Sequence, residues 1–186
     1  MISAILLAAG QSKRFGNNNK LITKYKNKNL IQSSLTNIIN SNIDNVIVVL
    51  GHDQDLIKNK ISKNKKIKFV INNKFRSGMA SSIKSGLKKI NIKTKGFFVC
   101  LGDMPKVNKN IYNKIIKSFN KHNQIIVPYF NNKRGNPVIF PIKYKKKFFK
   151  LKGDNGAKKF IKNNSQKIIF KNNAVLFDID YKKDLK

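Results

Sequence analysis

Strand-length apolar runs recur at residues 2–8, 46–50, 67–71 and 97–101, and three of them give way to a glycine: Gly10, Gly51 and Gly102. Runs of this kind are buried on both faces, so they need strands beside them and helices above and below. Between them, apolar residues return at helical spacing: Leu30, Ile31, Leu35, Ile38 and Ile39; Leu56, Ile57 and Ile61; Ile83 and Leu87 behind Ser81 and Ser82; Ile111, Ile115, Ile116 and Phe119. Strands that alternate with helices predict an α/β fold, a mostly parallel sheet with helices on both faces. The second half reads as short strands at 125–128 and 138–140, short helices at 148–149 and 157–161, and closing strands at 168–170 and 175–179. The 186 residues fit one domain, 1–186, with no internal repeat or linker. In such sheets ligands bind beyond the C-terminal ends of the strands, where the Gly-containing loops after the first and fourth strands fall.

The formal charge is +32, from 40 Lys and Arg against 8 acidic residues. A charge of that size points first to nucleic acid. Yet lysine is scattered through every polar stretch, Asn, Ile and Phe are abundant, and glutamate is absent. This is the pattern of a solvated Lys/Asn surface, and it predicts only non-specific nucleic-acid binding. A basic nucleic-acid-binding module stays as the alternative from another class. One cysteine, Cys100, excludes a disulfide framework and a cysteine-based zinc site. Two histidines, His52 and His122, cannot make a His-rich metal centre. No apolar run reaches the roughly eighteen residues of a membrane span, and residues 1–10 lack the basic start of a signal peptide, so a cytoplasmic protein is expected.

Against that background the rare residues stand out. Arginine occurs three times, at Arg14, Arg76 and Arg134, each in a Gly-containing segment. Where lysine is the default cation, an arginine suggests a planar fork matched to phosphate or carboxylate. Asp103 and Asp180 end apolar runs, where a carboxylate is out of place without a task. A carboxylate at the end of a buried strand is placed to hold a hard cation such as Mg²⁺ beside phosphate. The loop from Gly10 to Lys20 follows the first strand and carries Gly10, Arg14, Gly16 and Lys20. Small residues there let backbone N–H groups approach an anion, and the two cations suit a polyphosphate. It is neither a dinucleotide fingerprint nor a Walker A loop.

Six segments in order, LLAAGQSKRFGNNNKL, GMASSIKSGL, GDMP, RGNPVIF, GDNGA and DIDYKKDL, resemble those of the MobA-like nucleotidyltransferases over residues 2–185. The branch they are most similar to is the molybdenum cofactor cytidylyltransferases. The resemblance implies a Rossmann-like nucleotidyltransferase fold and transfer of CMP from CTP to a terminal phosphate of molybdopterin or its molybdenum-loaded form. Another NTP, or a sugar or polyol phosphate acceptor, stays open. Leu7, Ala8, Ala9, Gly10, Arg14, Lys20, Gly78 and Ser82 would hold the nucleotide. Arg14, Lys20 and Asp103 would act in catalysis, and Asp103 and Asp180 would bind Mg²⁺. Arg134, Gly135, Asn136, Pro137 and Asp154 would face the acceptor. The implied partners are a nucleoside triphosphate, a phosphorylated small molecule and a molybdoenzyme receiving the product. Two departures from the family pattern are Tyr181-Lys182-Lys183 in place of Thr-Pro-Glu, and Asn136 where the branch often has histidine.

Overall fold

The computed structural model describes residues 1–16, 18–154, 157–161 and 165–185. In chain order the elements are β1 (Ile2–Ala8), β2 (Lys24–Tyr25), β3 (Lys28–Asn29), α1 (Leu30–Ile39), β4 (Asn45–Leu50), α2 (Gln54–Asn59), β5 (Ile67–Ile71) and α3 (Met79–Lys88). Then follow β6 (Gly96–Leu101), α4 (Lys109–His122), β7 (Ile125–Phe130), β8 (Lys133–Arg134), β9 (Val138–Pro141), α5 (Lys145–Phe148) and β10 (Ser165–Ile169). The main sheet has the order β10-β7-β9-β6-β1-β4-β5, with β8 paired to β7.

β6, β1, β4 and β5 run parallel to one another, so their C-terminal ends share one edge. β9 is antiparallel to both of its neighbours, which makes the sheet mixed. Alternation along each strand divides the interior in two. Ala4, Leu6 and Ala8 of β1, Val46, Val48 and Leu50 of β4, and Phe98 and Cys100 of β6 join the apolar faces of α1, α2 and α4. Ile5, Ile47, Val49, Phe97 and Val99 face the other way and meet α3 and α5. Helices on both faces are what doubly buried strands require. α3 packs so close to β1 that a Cβ on Gly86 would collide with Ile5. α4 is opened by Asn108, whose side chain accepts from the N–H groups of Asn110 and Ile111, and is closed by left-handed Asn123.

Two expected strands differ. The predicted strand 168–170 is β10 at Ser165–Ile169, starting earlier in the chain. The predicted strand 175–179 is not a strand at all. Its two ends are buried, with Val175 and Ile179 fully covered, while Leu176 and Phe177 are half-buried and Asp178 is exposed. Its backbone groups, however, pair with loops: Asn136 N–H donates to the Val175 carbonyl, and Ile179 N–H donates to the Asp103 carbonyl at 3.1 Å. An apolar run reports burial, and here the covering partner is the end of the sheet, not a neighbouring strand.

Candidate active site

The loop after β1 is closed by its own polar side chains. Ser12 takes a left-handed backbone (φ 54), a short 3₁₀ turn Lys13–Phe15 follows, and Phe15 is buried as an anchor. Asn19, only 4% exposed, lies at the centre. Its Oδ1 accepts from Leu21 N–H at 3.0 Å and from the Ser12 hydroxyl at 3.3 Å. Its Nδ2 donates to Asp53 Oδ2 at 3.2 Å, across to the start of α2. Lys20 N–H donates to Ser12 Oγ at 3.2 Å. These bonds tie both ends of the loop to the β4–α2 junction and set where the Lys20 side chain starts. Asn19→Ala should therefore weaken the nucleotide binding that the resemblance implies about tenfold by freeing the loop. An unchanged affinity by calorimetry would show that the loop is held without it.

From that start the Lys20 ammonium reaches two carboxylates, 2.6 Å from Asp103 Oδ2 and 2.8 Å from Asp180 Oδ1. Arg14 adds a contact of 2.9 Å to Asp180 Oδ2. Burial alone would lower the Lys20 pKa, but the Asp103 charge and the bonds to Asp103 and Asp180 outweigh it and raise it. Asp180 moves the other way. The Lys20 hydrogen bond lowers its pKa against the effect of burial, and the charges of Lys20 and Arg14 add to this. A third carboxylate, Asp178, is raised by burial and by the charges of Asp103 and Asp180. Asp184 fixes the backbone beneath, its Oδ2 accepting from the N–H groups of Asp180 (3.0 Å) and Tyr181 (2.8 Å). Although Tyr181-Lys182-Lys183 departs from the family pattern, this turn still presents Asp180 to Asp103.

One oxygen of this cluster is unanswered: Asp103 Oδ1 is buried with no hydrogen-bond partner among the described residues. A buried carboxylate oxygen left unpaired is costly unless something binds it. Hard oxygen donors with an open position suit a divalent cation that also takes phosphate oxygens. Among the described residues no three His, Cys, Asp or Glu form a metal centre on protein ligands alone. The residues therefore fit a cation held by two carboxylates and completed by substrate and water. Cys100 takes no part as a nucleophile, because burial pushes its thiol up to about 12.

These groups line a cavity of about 450 Å³ at the shared C-terminal edge of the parallel strands. Leu7, Ala9, Gly10, Arg14, Lys20, Gly78, Ser82, Asp103, Asp154 and Asp180 all contribute to its wall. Ala8 does not; it points into the core. Gly78 has φ 98, and a Cβ there would strike the Gly153 carbonyl, so the start of α3 and the segment around Asp154 meet at contact distance. Asp154 Oδ1 accepts from Met79 N–H at 3.0 Å. Asn155 and Gly156 of the same motif lie outside the described residues. Arg134, Gly135, Asn136 and Pro137 are not in the cavity wall. Gly135 N–H donates to the Pro128 carbonyl and Asn136 N–H to the Val175 carbonyl, both at 2.8 Å, so this segment braces the C-terminal run. The remaining arginine, Arg76, lies over the Phe75 ring at 5.8 Å.

Phe75, Met79, Ser12 and Leu101 also line the cavity without having been singled out in the sequence. Phe75 and Met79 look like ordinary core residues there. Asn19, Asp53 and Asp184 look like loop and cap residues. A carboxylate in a lysine-rich chain is the one signal available for Asp53 and Asp184; Asn19, in a chain rich in asparagine, carries none.

Comparison with known proteins places this geometry. The family model described as the MobA-like NTP transferase domain matches residues 4–168. A probable molybdenum cofactor guanylyltransferase of Methanosarcina acetivorans is 27% identical over 124 residues, 64% of this chain and 54% of that protein. The chain thus spans about half the length of that curated relative. The crystal structure of Rv0371c from Mycobacterium tuberculosis superposes with a TM-score of 0.87 over 98% of this chain and 94% of that one, at 22% identity. The same Mycobacterium protein in complex with manganese matches with a TM-score of 0.76 over 91% and 88%, at 20% identity. The solved structures share the fold, the matched model covers most of the sequence, and the chain belongs to the MobA-like NTP transferase family.

Proposed function

We propose that the protein transfers a nucleotidyl group from a nucleoside triphosphate, CTP, to a terminal phosphate of molybdopterin or its molybdenum-loaded form, releasing pyrophosphate. One observation carries the reading. Asp103, Asp180, Lys20 and Arg14 form a charged cluster in the same cavity as the uncharged wall of Phe75, Gly78, Met79 and Ser82. Such a cavity suits a molecule with a triphosphate at one end and a base at the other. CTP is supported by the LAAG, RGNPVIF and GDNGA segments. The guanylyltransferase name of the Methanosarcina relative favours GTP as the second reading.

In this reading an acceptor phosphate oxygen attacks the α-phosphorus, the bond to the β-phosphate oxygen breaks, and pyrophosphate leaves. A phosphate nucleophile is already ionised, so no strong general base is required, which agrees with a chain lacking glutamate. Asp103 and Asp180 would hold a divalent cation, Mg²⁺, which when bound neutralises charge on the reacting phosphates. Lys20 and Arg14 offset the charge of the leaving pyrophosphate, and the clamped loop holds them in place beforehand. Asp154 faces the acceptor from the cavity wall. Gly135 and Asn136 act indirectly, by pinning Val175 and through it the segment that ends in Asp180, while Arg134 and Pro137 would face the acceptor from beside the cavity.

The decisive experiment is pyrophosphate release with each of the four NTPs, with and without molybdenum cofactor. Release that depends on both one NTP and the cofactor is expected. No release with any NTP and any phosphate acceptor, together with tight retention of one RNA or DNA sequence at about 200 mM salt, would return the basic-module reading.

Arg14→Lys tests the triphosphate contact more gently. It should weaken NTP binding about fivefold, near 1 kcal/mol. That is below the ~1.5–3 kcal/mol range for bonds to charged groups, because the Arg14 side chain is 70% exposed and well screened. Equal affinity would make Arg14 a surface cation only.

A further inference from the structure

The wall around Ser82 and the acidic cluster belong to different parts of the sheet, since β1 and β4 stand between β6, which leads to Asp103, and β5, which leads to Asn72. Asn72 follows β5 directly and is 4% exposed. Its amide has only one orientation open to it. The N–H of Lys74 can only donate, and it donates to Asn72 Oδ1 at 3.1 Å. Nδ2 is left to donate to the two hydroxyls it meets, Ser81 Oγ at 2.8 Å and Ser82 Oγ at 3.0 Å. The hydrogen of Ser81 has carbonyl acceptors on Lys74 (2.8 Å) and Gly78 (2.9 Å). The hydrogen of Ser82 has no acceptor among the described residues, and Ser82 lines the cavity.

We infer that Asn72 is a positioning residue that sets the polarity of Ser82, so that the Ser82 hydroxyl donates into the cavity to a carbonyl oxygen of the nucleobase. The inference rests on the nucleoside triphosphate reading above and narrows it. Cytosine, uracil and guanine carry an exocyclic carbonyl; adenine has none and can accept only at its ring nitrogens, which lie off the place of that oxygen. A site built to give a hydrogen bond rejects a ligand that cannot take it far better than an apolar pocket rejects a misfit. Asn72 is not itself part of the cavity wall; it acts by claiming a lone pair of Ser82 and leaving the hydrogen unclaimed.

The test is the affinity of the best-binding NTP and of ATP, by calorimetry, for the full chain and its variants. ATP is expected to bind weakest to the wild type. Ser82→Ala should weaken the best NTP about tenfold and leave ATP unchanged. Asn72→Asp should cost as much, because the carboxylate takes the Ser82 hydrogen for itself. Asn72→Ala should cost much less, since it removes a contact but leaves that hydrogen free. In a Ser82→Ala background Asn72→Asp should add little further loss. Should Asn72→Asp not fold, Ser82→Cys serves in its place, a weak donor at the same position, and it should lose most of what Ser82→Ala loses. The inference is overturned if Asn72→Ala is as damaging as Asn72→Asp, if the Asn72→Asp loss persists without Ser82, or if ATP loses as much as the best NTP. A wild-type protein that binds none of the four NTPs would instead overturn the nucleotide reading itself.

Discussion

Asp103→Ala is expected to lower nucleotidyl transfer at least about a hundredfold, near 2.7 kcal/mol of transition-state stabilisation, and to leave the fold intact. The side chain supplies the buried, unpartnered oxygen of the site and the shortest contact to Lys20. In the proposed reaction its removal takes away one of the two carboxylates that would hold the cation beside the phosphates, so cation binding and charge neutralisation would fail together. Stability should hold, because the loss of a partner for Lys20 is offset by relief for Asp178, which the Asp103 charge now disfavours. The check is turnover under saturating Mg²⁺ beside a thermal melt. Near-normal turnover would remove Asp103 from the chemistry. A companion titration of Asp180→Asn with Mg²⁺ tells whether the second ligand is Asp180 or its neighbour Asp178.

Lys20→Met is the second large effect, at least about a hundredfold in turnover, the size seen when a preorganised charge-stabilising donor is lost. It also carries a pH signature. In the wild type the Lys20 hydrogen bond lowers the Asp180 carboxyl pKa. A carboxyl lowered on folding stabilises the protein above its unfolded pKa, about 4, and the contribution fades as pH falls through the lowered value. Part of the rise in stability between about pH 3 and 5 is therefore due to this pair. Without Lys20, Asp103, Asp178 and Asp180 face one another with Arg14 alone beside them, so that rise should shrink. Urea denaturation across this range measures it, and a profile identical to the wild type would show that the pairing contributes nothing.

Much of the molecule was legible in the sequence. Doubly buried strands must be apolar throughout, so β1, β4 and β6 are visible as runs; β5, a half-exposed edge strand, shows only through its β-branched and aromatic residues, and the periodicity of α1, α3 and α4 follows from having one face on a sheet. The rarity of Arg14, Asp103 and Asp180 in a lysine-rich, glutamate-free chain marked them, and the structure sets Asp103 and Asp180 on Lys20 and Arg14 on Asp180; Arg76 and Arg134, marked by the same rarity, are not in that cluster. The tertiary structure alone decided the rest. The apolar run 175–179 could be read as a strand because burial looks alike whether the cover is a strand or the end of a sheet; only the fold laid it across that edge, beside Asp103. The clamp of Asn19 on Asp53 and Ser12, and the hold of Asn72 on Ser82, join residues far apart or hidden among ordinary turn residues. Periodicity and composition report which side chains avoid water, whereas the direction of a hydrogen bond depends on which partners the folded chain brings within about 3 Å.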